Sequence, residues 1–197
     1  MKLRFFTVVA GSALLMTTAY AQSVFNAKLV GLHETPIVIS GASGSAHITV
    51  SHDEKSIDYE LTYSGLEGSV IPPTPANPAP KVLFAHIHVG RPTIVGGVAV
   101  FFCGGGNTAA TKKDCPASAG PGTPNAAVTG TWTQADIVGP ASQGVDPTNP
   151  NNEDSFARLV RAIKAGLSYA NVHTTRSPGG EIRGQLLRAH DDDDDDR

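Results

Sequence analysis

His86 and His88, one residue apart in the run Phe84-Ala85-His86-Ile87-His88-Val89-Gly90, are the side chains of this sequence with the clearest chemical potential. On an extended strand, alternate residues share a face about 6.6 Å apart, from which two imidazoles reach one ion through bonds of about 2.0 Å. Taken alone, the pair equally fits two half-buried histidines bonded to neighbouring carbonyls. A second run, Ser168 to Thr174, supplies His173, and alternation puts it on one face with Tyr169 and Asn171. Three neutral imidazoles from two strands would suit Cu(II) or Zn(II), with water, His33 or Glu34 in a fourth position. The competing reading is a buried polar cluster that ties strand ends together. Both methionines, Met1 and Met16, lie at the amino terminus, which argues against the soft donors that Cu(I) prefers.

The elements that must carry these residues read as β-strands. Ile57, Tyr59, Leu61 and Tyr63 alternate with Asp58, Glu60 and Thr62, the pattern of a half-buried antiparallel strand. Similar runs fall at 24–30, 46–50, 82–89, 98–102, 128–132, 168–174 and 181–187. About eight short strands predict an all-β fold, an antiparallel β-sandwich of Greek-key or immunoglobulin-like type. One segment breaks the rhythm: Phe156, Leu159, Val160 and Ile163 recur at helical spacing, with Asp154 or Ser155 to cap and Gly166 to terminate. A short helix packed across one end of the sandwich is expected there. Pro178-Gly179-Gly180 supplies turn chemistry between 168–174 and 181–187, so those two strands form a hairpin. Glu181 and Arg183 share one face of its second strand, as an ion pair or as support for a site. Long loops at 71–80, 104–125 and 139–152 join the remaining elements.

Composition narrows the function classes. The 197 residues include 21 Gly and 14 Pro, too many for a helical bundle, and only 17% are charged. Neither a basic patch nor a long apolar run in the body appears, which excludes nucleic-acid binding and a transmembrane segment in the mature chain. Residues 1–21 read as a signal peptide: Lys2 and Arg4 precede an apolar stretch that ends at Ala19-Tyr20-Ala21. The mature domain is expected at 22–189, secreted or periplasmic. Residues 190–197 hold six adjacent Asp, an acidic disordered tail that solubilises the chain or loosely collects cations. Cys103 and Cys115 meet an oxidising compartment after export and are expected to pair, since two cysteines without C-x-x-C spacing make a poor metal site.

Three separated segments, taken in order, resemble the CHRD (chordin) domain family. They are Leu29-Val30-Gly31-Leu32-His33-Glu34-Thr35-Pro36 with Gly44-Ser45-Ala46, then Ala85-His86-Ile87-His88-Val89-Gly90, then Asn171-Val172-His173-Thr174 with Pro178 to Leu186. The opening segment keeps one proline, Pro36, where the family commonly has two. The cysteine-containing insertion and the Asp tail look like additions peculiar to this chain. The resemblance implies an extracellular β-sandwich module, with His86, His88 and His173, together with Glu34 and Arg183, as its concentrated polar positions. It does not imply an enzyme, and without a cysteine-rich growth-factor-binding module the animal role does not carry over.

The expected function is therefore an exported binding or structural module that engages an extracellular protein, matrix or surface, and that holds one Cu(II) or Zn(II) if the histidines are ligands. The sequence has no G-x-S-x-G, H-E-x-x-H or phosphate-loop pattern. Two alternatives are a copper-dependent redox enzyme distantly like superoxide dismutase, and a metal storage or delivery protein. The first is weakened because the next histidine after His88 is His173, with no histidine-rich zinc loop between.

Overall fold

The computed structural model describes residues 22–66, 81–118, 126–148 and 154–189. The expected signal peptide, the Asp tail, the proline-rich loop at 71–80 and parts of the other two long loops lie outside the described residues. Among the described residues nine strands form: β1 (Ser23–Val30), β2 (Ser43–Val50), β3 (Ile57–Ser64), β4 (Val82–Val89), β5 (Gly97–Cys103), β6 (Ala126–Trp132), β7 (Ser168–Thr174), β8 (Ile182–Gln185) and β9 (Leu187–Arg188). The eighth expected strand is thus split in two at Leu186, whose backbone N–H turns to the Ser168 carbonyl.

All pairings are antiparallel, as the alternating pattern requires. They build one continuous sheet in the order β5-β4-β7-β8-β1-β2-β3-β6, with β9 beside β1. The two-sheet Greek-key sandwich expected from the strand count is replaced by this single sheet, which curls until its edges nearly meet. Across the gap, the Trp132 indole of β6 donates to the Phe101 carbonyl of β5 at 2.7 Å, and Val138 N–H donates to Ala99 O at 2.9 Å. Curling brings one face of each of β1 to β8 onto a common core, so the pattern of eight half-buried strands fits a near-barrel as well as a sandwich. That core includes Ile57, Tyr59, Leu61 and Tyr63 as expected, with Trp132 stacked on Tyr59 at 4.2 Å.

Helix α1 (Ser155–Lys164) buries Phe156, Leu159, Val160 and Ile163. Asp154 caps it by accepting from Phe156 N–H at 2.9 Å, and Gly166, at φ 68°, allows the chain to leave it. Cys103 and Cys115 form the disulfide. Beyond Cys115 the chain reaches β3, where Tyr63 donates its hydroxyl to Pro116 O at 2.7 Å. The bridge thus ties the β5 edge to the opposite side of the gap.

Candidate metal centre

Strand β7 lies between β4 and β8, and each of its residues is buried. Its Ala170 and Val172 join Ala85, Ile87 and Ile182 in the core. The register pairs Phe84 with His173, His86 with Asn171 and His88 with Tyr169, then Asn171 with Arg183 and Tyr169 with Gln185. Directly opposed residues share a face, so the period-2 pattern places all of these side chains on the side away from the core. Connections cover that side. Gly96 O, after β4, accepts from His88 Nδ1 at 2.9 Å, and Pro178 O, in the β7–β8 turn, accepts from His173 Nδ1 at 2.9 Å.

Those two carbonyls set the chemistry of the site. A neutral imidazole that donates from Nδ1 carries a lone pair on Nε2. His88 Nε2 and His173 Nε2 are both buried without a hydrogen-bond partner, and so is His86 Nδ1. One nitrogen from each of the three rings lies within 4.8 Å of one from each of the others. Ring centroids are 4.3 Å apart for His86 and His88 and 4.6 Å apart for His86 and His173. Phe84 and Phe101 wall the cluster, with centroids 5.3 and 5.1 Å from that of His86.

Burial is also what keeps the rings uncharged. It pushes His86 down to about 2, helped by His88 and His173, and His88 down to about 4 against the raising effect of the Gly96 carbonyl. His173 is lowered by burial as well. Neutral imidazole is the form that ligates a metal. Each unpartnered buried acceptor costs about 1–3 kcal/mol. Three such nitrogens, one on each ring of the cluster, are therefore a cost that a bound cation would relieve.

The remaining sequence-predicted residues fall around this cluster. His33 and Glu34 are separated by the end of a 3-10 turn, Gly31–His33, whose tight winding sends adjacent side chains in different directions. His33 is exposed, and Glu34 is buried beside Asn171 and Gly180. Neither belongs to the converging group. Burial lifts the Glu34 carboxyl to about 7, against the pull of the Arg183 charge. Glu34 Oε1 and Asn171 Oδ1 have no hydrogen-bond partner. Arg183 places its guanidinium carbon 3.4 Å from the Tyr169 ring centroid and donates from Nη2 to Arg91 O at 2.8 Å. Glu181 instead accepts from Ser40 and Thr174 hydroxyls at 2.8 and 2.7 Å.

Sequence reasoning passed over Phe84, Phe101 and the Gly96 and Pro178 carbonyls. Alternation alone would have put Phe84 on the histidine face, whereas the carbonyls carry no sequence signal. Gly180 was read only as a turn residue. It sits at φ 121°, where a Cβ would come within 2.7 Å of Glu34 Oε1.

Fold and cluster together define an all-β protein with a candidate three-histidine centre on the covered outer side of a nearly closed sheet. The family model of the CHRD domain matches residues 25–186, and the chain belongs to the CHRD-domain family. No curated protein and no solved structure matches it.

Proposed function

We propose that the protein is an exported binding module that holds one Cu(II) or Zn(II) ion on His86, His88 and His173 and engages an extracellular protein, matrix or surface partner. The observation that carries the metal reading is the pair of backbone carbonyls that engage Nδ1 of His88 and His173 and leave their buried Nε2 atoms without a partner, in a cluster where the three residues offer ring nitrogens within 4.8 Å of one another. Metal-ligating histidines characteristically donate their other ring nitrogen in this way. The role is binding rather than catalysis. The three imidazoles are only 2%, 7% and 6% exposed, which favours holding an ion over admitting a substrate to it. Export is supported by the disulfide, a feature of oxidising compartments.

Elemental analysis tests the metal reading. The disulfide-intact protein is exposed to Cu(II) and Zn(II) and dialysed into metal-free buffer. Near-stoichiometric metal is expected, lost in a His86→Ala/His173→Ala variant and retained in a chain truncated after Ala189. A chain that keeps no metal, or a double variant that keeps it, overturns the assignment.

A further inference from the structure

Next to the histidine layer, a groove of about 410 Å³ is lined by residues of β1, of the 3-10 turn and the segment after it, of the β4–β5 connection and of β8–β9. That volume lies within the range of small-ligand sites. Its walls include Leu32, Ile37, Pro92 and Leu187. Leu32, Ile37 and Leu187 are 63%, 63% and 60% exposed. Exposed aliphatic side chains gathered around one depression mark a binding surface rather than chance surface composition.

Arg183 gives this apolar groove a charged element. It lines the groove and is 3% exposed, yet among the described residues no carboxylate lies within ion-pair distance of it. Among the described residues one hydrogen bond, to Arg91 O, engages one of the five donors of its guanidinium. A buried charge is costly unless paired, and the face of Tyr169 offsets only part of that cost. Lys28 lines the same groove and adds a second cation. Glu34 also borders it, but with its carboxyl raised to about 7 it is only partly ionised at neutral pH and does not cancel both.

We propose that this groove binds an amphiphile with a carboxylate head, which pairs with Arg183 while its hydrocarbon chain lies against Leu32, Ile37 and Leu187. A planar carboxylate matches the guanidinium fork, and Lys28 reinforces the attraction as a point charge. None of the three clustered histidines lines the groove. The site therefore does not depend on a bound metal, and its failure would leave the metal reading untouched.

Calorimetric titration of the metal-free full chain with decanoate, decanol and decyltrimethylammonium tests this. Saturable one-site binding of decanoate is expected, about tenfold or more tighter than decanol, with no binding of the ammonium amphiphile. Arg183→Gln should weaken decanoate by about tenfold or more. Because Arg183 is buried and its loss can disturb folding, an Ile37→Ser/Leu187→Ser variant on the exposed wall provides the second arm, and it should weaken decanoate with an unchanged circular dichroism spectrum. Absence of saturable decanoate binding, equal affinity for decanol, or full affinity in the Ile37→Ser/Leu187→Ser variant would overturn the proposal.

Discussion

The guanidinium carbon of Arg183 stands 3.4 Å from the centroid of the Tyr169 ring, which also stacks on His88 at 4.6 Å with 10° between the planes. Strand order explains the arrangement, because β7 has β8 on one side and β4 on the other. Tyr169 thus stands between Arg183, which lines the groove, and His88 of the histidine cluster, and a change in it should be felt by both residues.

Two substitutions at this position separate its roles. Tyr169→Phe keeps the ring and removes only the hydroxyl that accepts from Gly96 N–H at 3.1 Å, so a loss of about 1 kcal/mol is expected. Tyr169→Leu also removes the ring face beneath Arg183 and should cost about 2–3 kcal/mol. Urea unfolding of the metal-free proteins compares them, and equal losses would show that the Arg183 contact contributes nothing.

Gly180→Ala should be destabilising out of proportion to its size. A Cβ there meets Glu34 Oε1 at 2.7 Å and Asn171 Oδ1 at 2.8 Å, and the backbone at φ 121° suits only glycine. A loss of about 1–3 kcal/mol is expected from the backbone alone. A variant as stable as the parent in urea would contradict the crowding described here.

Acid should weaken the metal-free fold. Unfolded histidines titrate near the ordinary value of about 6.5, whereas burial holds His86 near 2 and His88 near 4 and lowers His173 too. As pH falls below about 6.5 the unfolded chain takes up protons that the folded one refuses, so stability falls with pH. Glu34 acts in the opposite sense. Raised to about 7, it stabilises the fold fully below its unfolded value of 4.5 and loses that contribution as pH rises through 7. Three histidines outweigh one carboxyl. The urea midpoint should drop between pH 7 and pH 5, and drop more steeply in Glu34→Gln; a flat midpoint would count against the buried neutral cluster.

Reduction of Cys103–Cys115 should cost about 3 kcal/mol by the chain-entropy relation for a loop of this length. The loss should be accompanied by faster amide exchange at Val138, whose bond to Ala99 O helps bridge the two edges of the sheet. Exchange at Val138 that stays as slow as in the oxidised protein would separate the disulfide from closure.

Local pattern made much of this architecture legible. The alternation of Ile57 to Tyr63, the helical spacing of Phe156 to Ile163 with its Asp154 cap, and the Pro178-Gly179-Gly180 turn each depend on side chains a few residues apart, whose preferences the backbone expresses locally. The same periodicity put His86 with His88, and His173 with Tyr169 and Asn171, on single strand faces. It could not say that β4 and β7, about eighty residues apart in sequence, are neighbours, nor that the curled sheet needs no second layer. Those outcomes depend on long-range pairing, which is chosen by the burial of whole faces against one another. The same holds for the finer chemistry. His33 and Glu34 are adjacent in sequence, yet the 3-10 turn exposes one and buries the other. Which imidazole nitrogens are left without a partner was decided by the backbone carbonyls of Gly96 and Pro178, groups that every residue carries and no sequence pattern marks.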